Sequence, residues 1–169
     1  TLSISNATIS GTAQRNASSG LASFGSLAFI GAEGAKTLTA TLASPSLTET
    51  AALTLEFGEA TKLAISQAAS GAVNRANFSV QPIIQAQDVS GNVVDDYTSS
   101  VSIAVSRSAS AVAFGISGTA LRSASVGVAT FTGLGLFGET GDYTLTYSSG
   151  SLTTTSVSYT HLRAHETPE

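Results

Sequence analysis

The chain has 169 residues, a formal net charge of −4 and only 11 % charged residues, where about 25 % is usual for a soluble domain. It contains no Cys, Met or Trp, which excludes a disulfide framework and a thiolate zinc site. Seven basic residues scattered among eleven acidic ones leave no electrostatic footprint for nucleic acid.

One stretch is written twice. Ile9–Thr39 returns as Ile116–Thr146, 107 residues on, with 17 of 31 positions identical and no gap. A self-similarity of this length is the mark of a tandem array and governs the rest of the reading. Ser46-Leu47-Thr48 aligns with Ser151-Leu152-Thr153 once two extra residues in the first copy are allowed. The first copy then runs on through Ala51–Ala60, while the segment Thr61–Gly115 before the second copy has almost no counterpart ahead of the first. The expected division is the C-terminal half of a first repeat over 1–59, a nearly complete second repeat over 60–156, and a non-native tail over 157–169. The chain reads as a fragment that begins inside a repeat. With its front strands missing, 1–59 is expected to be disordered or to associate, since unpaired strand edges invite pairing between chains.

In chain order, period-two alternation dominates and helical periodicity is hard to find. The most apolar window, Leu21–Ala35, is interrupted by Ser23, Gly25, Ser26, Gly31 and Glu33 and falls short of the roughly 20 apolar residues of a spanning helix. Only Gly58–Thr61 separate the last strand of the first copy from the next, a linker short enough to restrict relative motion. Leu63 and Ile65 begin a strand. Phe78, Val80, Pro82, Ile84 and Ala86 share one parity, and Pro82, lacking an N–H, belongs at an edge or a bulge. Val101, Ile103 and Val105 form a period-two run, as do Ala129 with Phe131, and Tyr143 with Leu145 and Tyr147. Each run sets an apolar face against a Ser/Thr face. Turn signals at Ser90-Gly91-Asn92, Ser117-Gly118, Gly138–Gly141 and Ser148-Ser149-Gly150 separate them. Short strands spaced by such turns predict an all-β fold of tandem immunoglobulin-like antiparallel sandwiches, one partial and one nearly complete. Gly141-Asp142-Tyr143-Thr144-Leu145 suggests a tyrosine corner at Tyr143, with Lys36 at that place in the first copy.

Three segments carry a family resemblance: Gln87-Asp88-Val89-Ser90-Gly91-Asn92 between two strands, Gly127-Val128-Ala129-Thr130-Phe131, and Gly141–Leu145. They resemble the bacterial immunoglobulin-like repeats of large surface proteins of the invasin and intimin kind. The resemblance covers the second repeat and the first from its middle. It implies an exported, extracellular or cell-surface location and a spacer role, with neighbouring repeats as partners. The final strand departs from the pattern. Val157–Thr167 resembles the translation, in one frame, of a transposon adapter used for sequencing libraries, and both histidines, His161 and His165, together with Pro168, fall in that tail. Such segments are set aside in fold reasoning.

Candidate chemistry is sparse. Outside the tail there is no His or Cys for a Ser–His or Cys–His pair. Asp95 and Asp96 are adjacent, so on a strand they face opposite ways, and a polar loop explains them better than an acid–base pair. Asp88, Asn92, Asp95 and Asp96 could offer oxygens to Ca²⁺, but their spacing fits no EF-hand loop, and an Asp/Gly/Asn turn accounts for them. Gly133–Gly141 lacks the Lys and helix of a phosphate loop. The sequons at Asn6, Asn16 and Asn77 matter only in a eukaryotic secretory pathway. The reading is therefore a non-enzyme with no cofactor, metal site, nucleic-acid partner or membrane insertion. Its role is a structural spacer of an exported bacterial surface protein presenting a distal adhesive region. The alternatives are a glycan- or protein-binding module, for which Tyr97 is the one loop aromatic available, and an accessory domain of a secreted carbohydrate-active enzyme.

Overall fold

The computed structural model describes residues 1–108 and 112–160. The expected tail residues His161, His165 and Pro168 lie outside the described residues. The chain divides into two compact units, Thr1–Gly58 with Ser90–Asn92, and Glu59–Val89 with Val93–Glu169. All paired strands run antiparallel, and both units belong to the immunoglobulin-like sandwich class.

Unit 1 holds β1 (Leu2–Ile4), β2 (Ala7–Ser10), β3 (Ala28–Gly31), β4 (Gly34–Leu42) and β5 (Leu47–Leu55). Unit 2 holds β6 (Lys62–Gln67), β7 (Ile83–Gln87), β8 (Ser100–Ser106), β9 (Gly115–Ser117), β10 (Leu121–Ser123), β11 (Val128–Thr130), β12 (Gly135–Phe137), β13 (Gly141–Ser149) and β14 (Leu152–Thr160). One sheet of unit 2 has the order β10-β8-β13-β14, the facing one β11-β7-β6. Leu63, Ile84, Ala86 and Ala129 from one sheet meet Val101, Ile103, Tyr143, Leu145 and Tyr147 from the other in a single core. The inward parity read from the sequence holds along β7, β8, β11 and β13, with Val80 as an exception at 37 % exposure. Pro82 precedes β7, near the register break between Ile65 and Gln67, where its missing N–H costs no ladder bond. Its carbonyl accepts the Phe131 N–H at 3.1 Å.

The two copies share strand register as well as sequence. In unit 1, β4 faces β5 from Gly34 opposite Leu55 to Leu42 opposite Leu47. In unit 2, β13 faces β14 from Gly141 opposite Thr160 to Ser149 opposite Leu152. The two extra residues of the first copy thus lie in the hairpin loop and shift nothing in the ladder. Ile9 opposite Phe29 matches Ile116 opposite Leu136. Leu2 opposite Ala40 matches Ile103 opposite Tyr147, so β1 takes the place of β8. Among the described residues, unit 1 has no strands in the places of β6 and β7.

Residues 1–59 form strands with defined register in two antiparallel sheets, β1-β4-β5 and β2-β3, in which pairing satisfies the backbone. The last strand of the second repeat runs past residue 156. β14 continues through Val157–Thr160, opposite Thr144–Gly141, and Val, Tyr and Thr there are residue types that suit a strand.

A tight turn recurs in both copies. Ser18 bridges Leu21 and Ser125 bridges Val128, and the central pairs Ser19-Gly20 and Val126-Gly127 all have positive φ. This is the backbone sign of a type I′ turn, which suits Asn-Gly. A β-branched residue is strained there, and Val126 at φ 50° is exposed. Replacing Val126 with Asn is expected to stabilise unit 2 by about 1 kcal/mol, read as a higher urea midpoint at unchanged slope. A lower midpoint would show that Val126 contributes packing that outweighs its strain.

Candidate functional site

The loop nominated for calcium or glycan contact is built into the structure. Asp88 continues the inward parity of β7 and is 3 % exposed, while Asp95 and Asp96 face solvent. The Asn92 carboxamide, counted with unit 1, accepts the Glu33 N–H at 3.0 Å and donates to the Gly31 carbonyl at 3.0 Å. The four oxygens are therefore split between a buried position, a main-chain clasp and an exposed turn. Among the described residues, no three His, Cys, Asp or Glu side chains converge as metal ligands do.

Tyr97 turns inward. Its N–H closes a turn on the Val94 carbonyl at 2.9 Å, and its ring packs against the core. Its hydroxyl donates to Ser149 Oγ at 2.7 Å, and Ser149 donates on to the Ser100 carbonyl at 2.8 Å. That chain ties the loop to β13 and β8. The aromatic face is spent on packing rather than offered to a ligand.

The tyrosine corner is present. Tyr143 is fully buried, and its hydroxyl donates to the Glu139 carbonyl at 2.6 Å. Arg107 lies 5.1 Å from the ring centroid and reaches the Glu139 carboxylate at 3.4 Å. Phe114 tilts against the ring at 5.8 Å. In unit 1 Lys36 fills the same place, 8 % exposed, with its ammonium 3.5 Å from the Glu33 carbonyl. A buried ammonium needs such an acceptor; the carbonyl that Lys36 reaches lies one position on from the counterpart of the Glu139 carbonyl that Tyr143 uses in unit 2. Among residues 1–58 Lys36 is the only buried residue.

One concavity belongs to unit 1 and was not legible as a site from its sequence. It is an open groove of about 420 Å³, with Ala22, Phe24, Ala40, Leu42 and Leu47 on its walls and Arg15 and Glu49 among its polar residues. A smaller hollow of about 140 Å³ in unit 2 lies among Asn74, Phe137, Gly138 and Glu139, where Asn74 Oδ1 accepts the Gly138 N–H at 3.2 Å. No helix of the described residues is long and apolar enough to cross a membrane.

No family model and no curated protein matches the sequence. Similar solved structures include a family 2 glycosyl hydrolase member from Bacteroides cellulosilyticus DSM 14838, 15 % identical, with a TM-score of 0.47 over 78 % of this chain and 19 % of that one. Another is the β-glucuronidase of Parabacteroides merdae with glycerol in its active site, 9 % identical, with a TM-score of 0.45 over 73 % of this chain and 16 % of that one. The chain spans less than a fifth of the length of either enzyme, and no activity follows from the likeness.

Two outcomes follow from the buried tyrosines. Tyr143→Phe leaves the Glu139 carbonyl without its donor and is expected to cost unit 2 about 1–2 kcal/mol, measured by urea unfolding; no loss would mean that water or Arg107 replaces the contact. Burial pushes the Tyr147 hydroxyl above its ordinary value of 10.0, with the Ser156 hydroxyl acting in the opposite direction. A raised pKa in the folded state means stability that is complete below pH 10.0 and lost as pH rises through the folded value. The urea midpoint of unit 2 should therefore fall as pH rises past 10.0, and fall less in Tyr147→Phe. Equal falls in both chains would exclude Tyr147 as the cause.

Proposed function

We propose that the chain is a structural, non-catalytic module, a length of tandem immunoglobulin-like repeat that spaces and orients other parts of a longer exported bacterial surface protein. The observation that carries this reading is the matched register of the two copies. Ladder positions are retained while surface residues and the tyrosine corner vary, as expected where the shape of the unit is what matters. A neutral Ser/Thr surface and the inward use of Tyr97 and Asp88 support it further. Neighbouring repeats are the partners it implies, and the surface-protein resemblance of Gln87–Asn92 and Gly141–Leu145 suggests the setting.

A second setting is an accessory domain beside the catalytic domain of a secreted carbohydrate-active enzyme. The module itself has the same mechanical properties in either place, so flanking sequence separates them. In the complete reading frame at its source, the spacer reading expects further copies at a spacing near 107 residues, followed by a surface anchor. A catalytic domain after one or two copies would favour the accessory setting, and an isolated pair with neither would contradict both. A mechanical role also expects the chain, pulled from its ends, to lose unit 2 in one discrete step, because β8, β13 and β14 are laced side by side. Gradual yielding would count against a load-bearing function.

A further inference from the structure

The connection from β6 to β7, residues 68–82, is long for two neighbouring strands of one sheet and is folded on itself. Compact loops whose ends meet in this way are frequently functional. Ser70 and Val80 exchange both main-chain hydrogen bonds, at 3.1 and 3.2 Å, and Gln67 Nε2 donates to the Gln81 carbonyl at 2.7 Å. At the far end the Ala76 N–H closes a turn on the Val73 carbonyl at 3.0 Å, and Arg75 stands at φ 63°, a left-handed conformation that strains a residue with a Cβ.

The loop lies along the side of β12 that β9 leaves free. The Arg75 N–H donates to the Leu136 carbonyl at 2.9 Å and the Phe78 N–H to the Leu134 carbonyl at 2.7 Å, on either side of the bridge between Asn77 and Gly135. From the body of the unit, the Gly138 N–H reaches Asn74 Oδ1 at 3.2 Å. Gln81 fastens the base. Its carboxamide presents a donor and an acceptor as a peptide group does. Oε1 accepts the Leu134 N–H at 3.0 Å, and Nε2 donates to the Leu134 carbonyl at 3.0 Å and the Phe78 carbonyl at 2.9 Å. The apolar hold is slight by comparison. Phe78 is buried, whereas Val73 and Val80 are 49 % and 37 % exposed. A hollow of about 140 Å³ remains at the tip, with Asn74 and Arg75 on the loop side and Phe137 and Gly138 on the other. A segment with one large side chain in the core, held otherwise by main-chain and carboxamide bonds, belongs to the low-stability end of a fold.

We propose that residues 70–80 are a strap that opens and closes as one piece over the free edge of β12, with the Gln81 carboxamide as its latch. On opening, Phe78 leaves the core, and the Leu134 and Leu136 carbonyls are released to water together with the Leu134 and Gly138 N–H groups. The bonds between Ser70 and Val80, internal to the strap, stay made. The sheet β10-β8-β13-β14 and the sheet β11-β7-β6 keep their ladders, because none of their pairs involves residues 70–80. The device belongs to unit 2 itself and is the same in either setting of the module.

The test is native-state amide hydrogen exchange on the full chain, followed by NMR over a series of urea concentrations below the unfolding transition. Arg75 and Phe78 on the strap, with Leu134 and Gly138 across the seam, should exchange with one common opening free energy and one small urea dependence. Ala86 and Phe131 should show the full urea dependence of unfolding. Gln81→Met keeps the bulk of the latch without its bonds, and leaves the acceptors of Arg75, Phe78 and Gly138 in place. Those three amides are expected to exchange faster by one common factor of roughly ten. Tyr97→Phe, which removes the contact with Ser149, should speed Ala86 and Phe131 and leave the three unchanged. Full urea dependence at Arg75 and Phe78 would overturn the proposal, since the strap would then open only with the core. Four different opening free energies, an effect of Gln81→Met confined to Leu134, or a response of the three amides to Tyr97→Phe would overturn it as well.

Discussion

Side chains on a strand alternate between faces, so a one-residue slip in pairing exchanges the inner and outer sets. In this chain the constraint rests chiefly on the hairpin of β13 and β14 and its counterpart, β4 and β5. Nine consecutive pairs fix each hairpin, and the same parity that points Tyr143, Leu145 and Tyr147 inward in unit 2 points Lys36, Leu38 and Ala40 toward the corresponding face of unit 1. The loop lengths differ between the two hairpins without disturbing this, because an insertion beyond the last pair leaves every earlier pair in place. The remaining strands of unit 2 then close over an inner face that the hairpin has already defined.

Glycine maintains the common backbone at one close approach. Gly118 has φ +90°, and a Cβ there would collide with the Gly133 carbonyl oxygen; Gly11, its counterpart, has φ +108° and would meet the Ser26 carbonyl oxygen at 2.7 Å. Both copies keep Gly where a side chain has neither the room nor the backbone conformation it needs. At the tyrosine corner the copies differ, and the contact survives in altered form because Tyr and Lys can both place a donor against a main-chain carbonyl. Gly is thus retained at this close approach, and exchange is tolerated where two different side chains each reach a main-chain carbonyl.

Much of the fold was legible because alternation and turn residues are local signals. The repeat, the inward faces of β7, β8 and β13, and the Tyr143 corner could all be read from spacing. The course of Val157–Thr160 could not, since whether such a segment pairs depends on the partner strand Gly141–Thr144. Tyr97 was read as a loop aromatic open to ligands, but its hydroxyl found Ser149, 52 residues away, and no local pattern encodes that meeting. The groove of unit 1 was illegible for a related reason. Its walls have the composition of a core, and only the placement of strands shows that the described residues leave it uncovered.

The central claim is that the two units share one register while differing in closure: unit 2 has a filled core between two sheets, and unit 1 presents the same face open. Amide hydrogen exchange on the full chain tests this most directly, because protection reports local opening residue by residue. Ala86 and Phe131 are expected to exchange only through unfolding of unit 2, while Phe24 in dilute solution exchanges within roughly tenfold of a free peptide. Protection of Phe24 equal to that of Phe131 would contradict it.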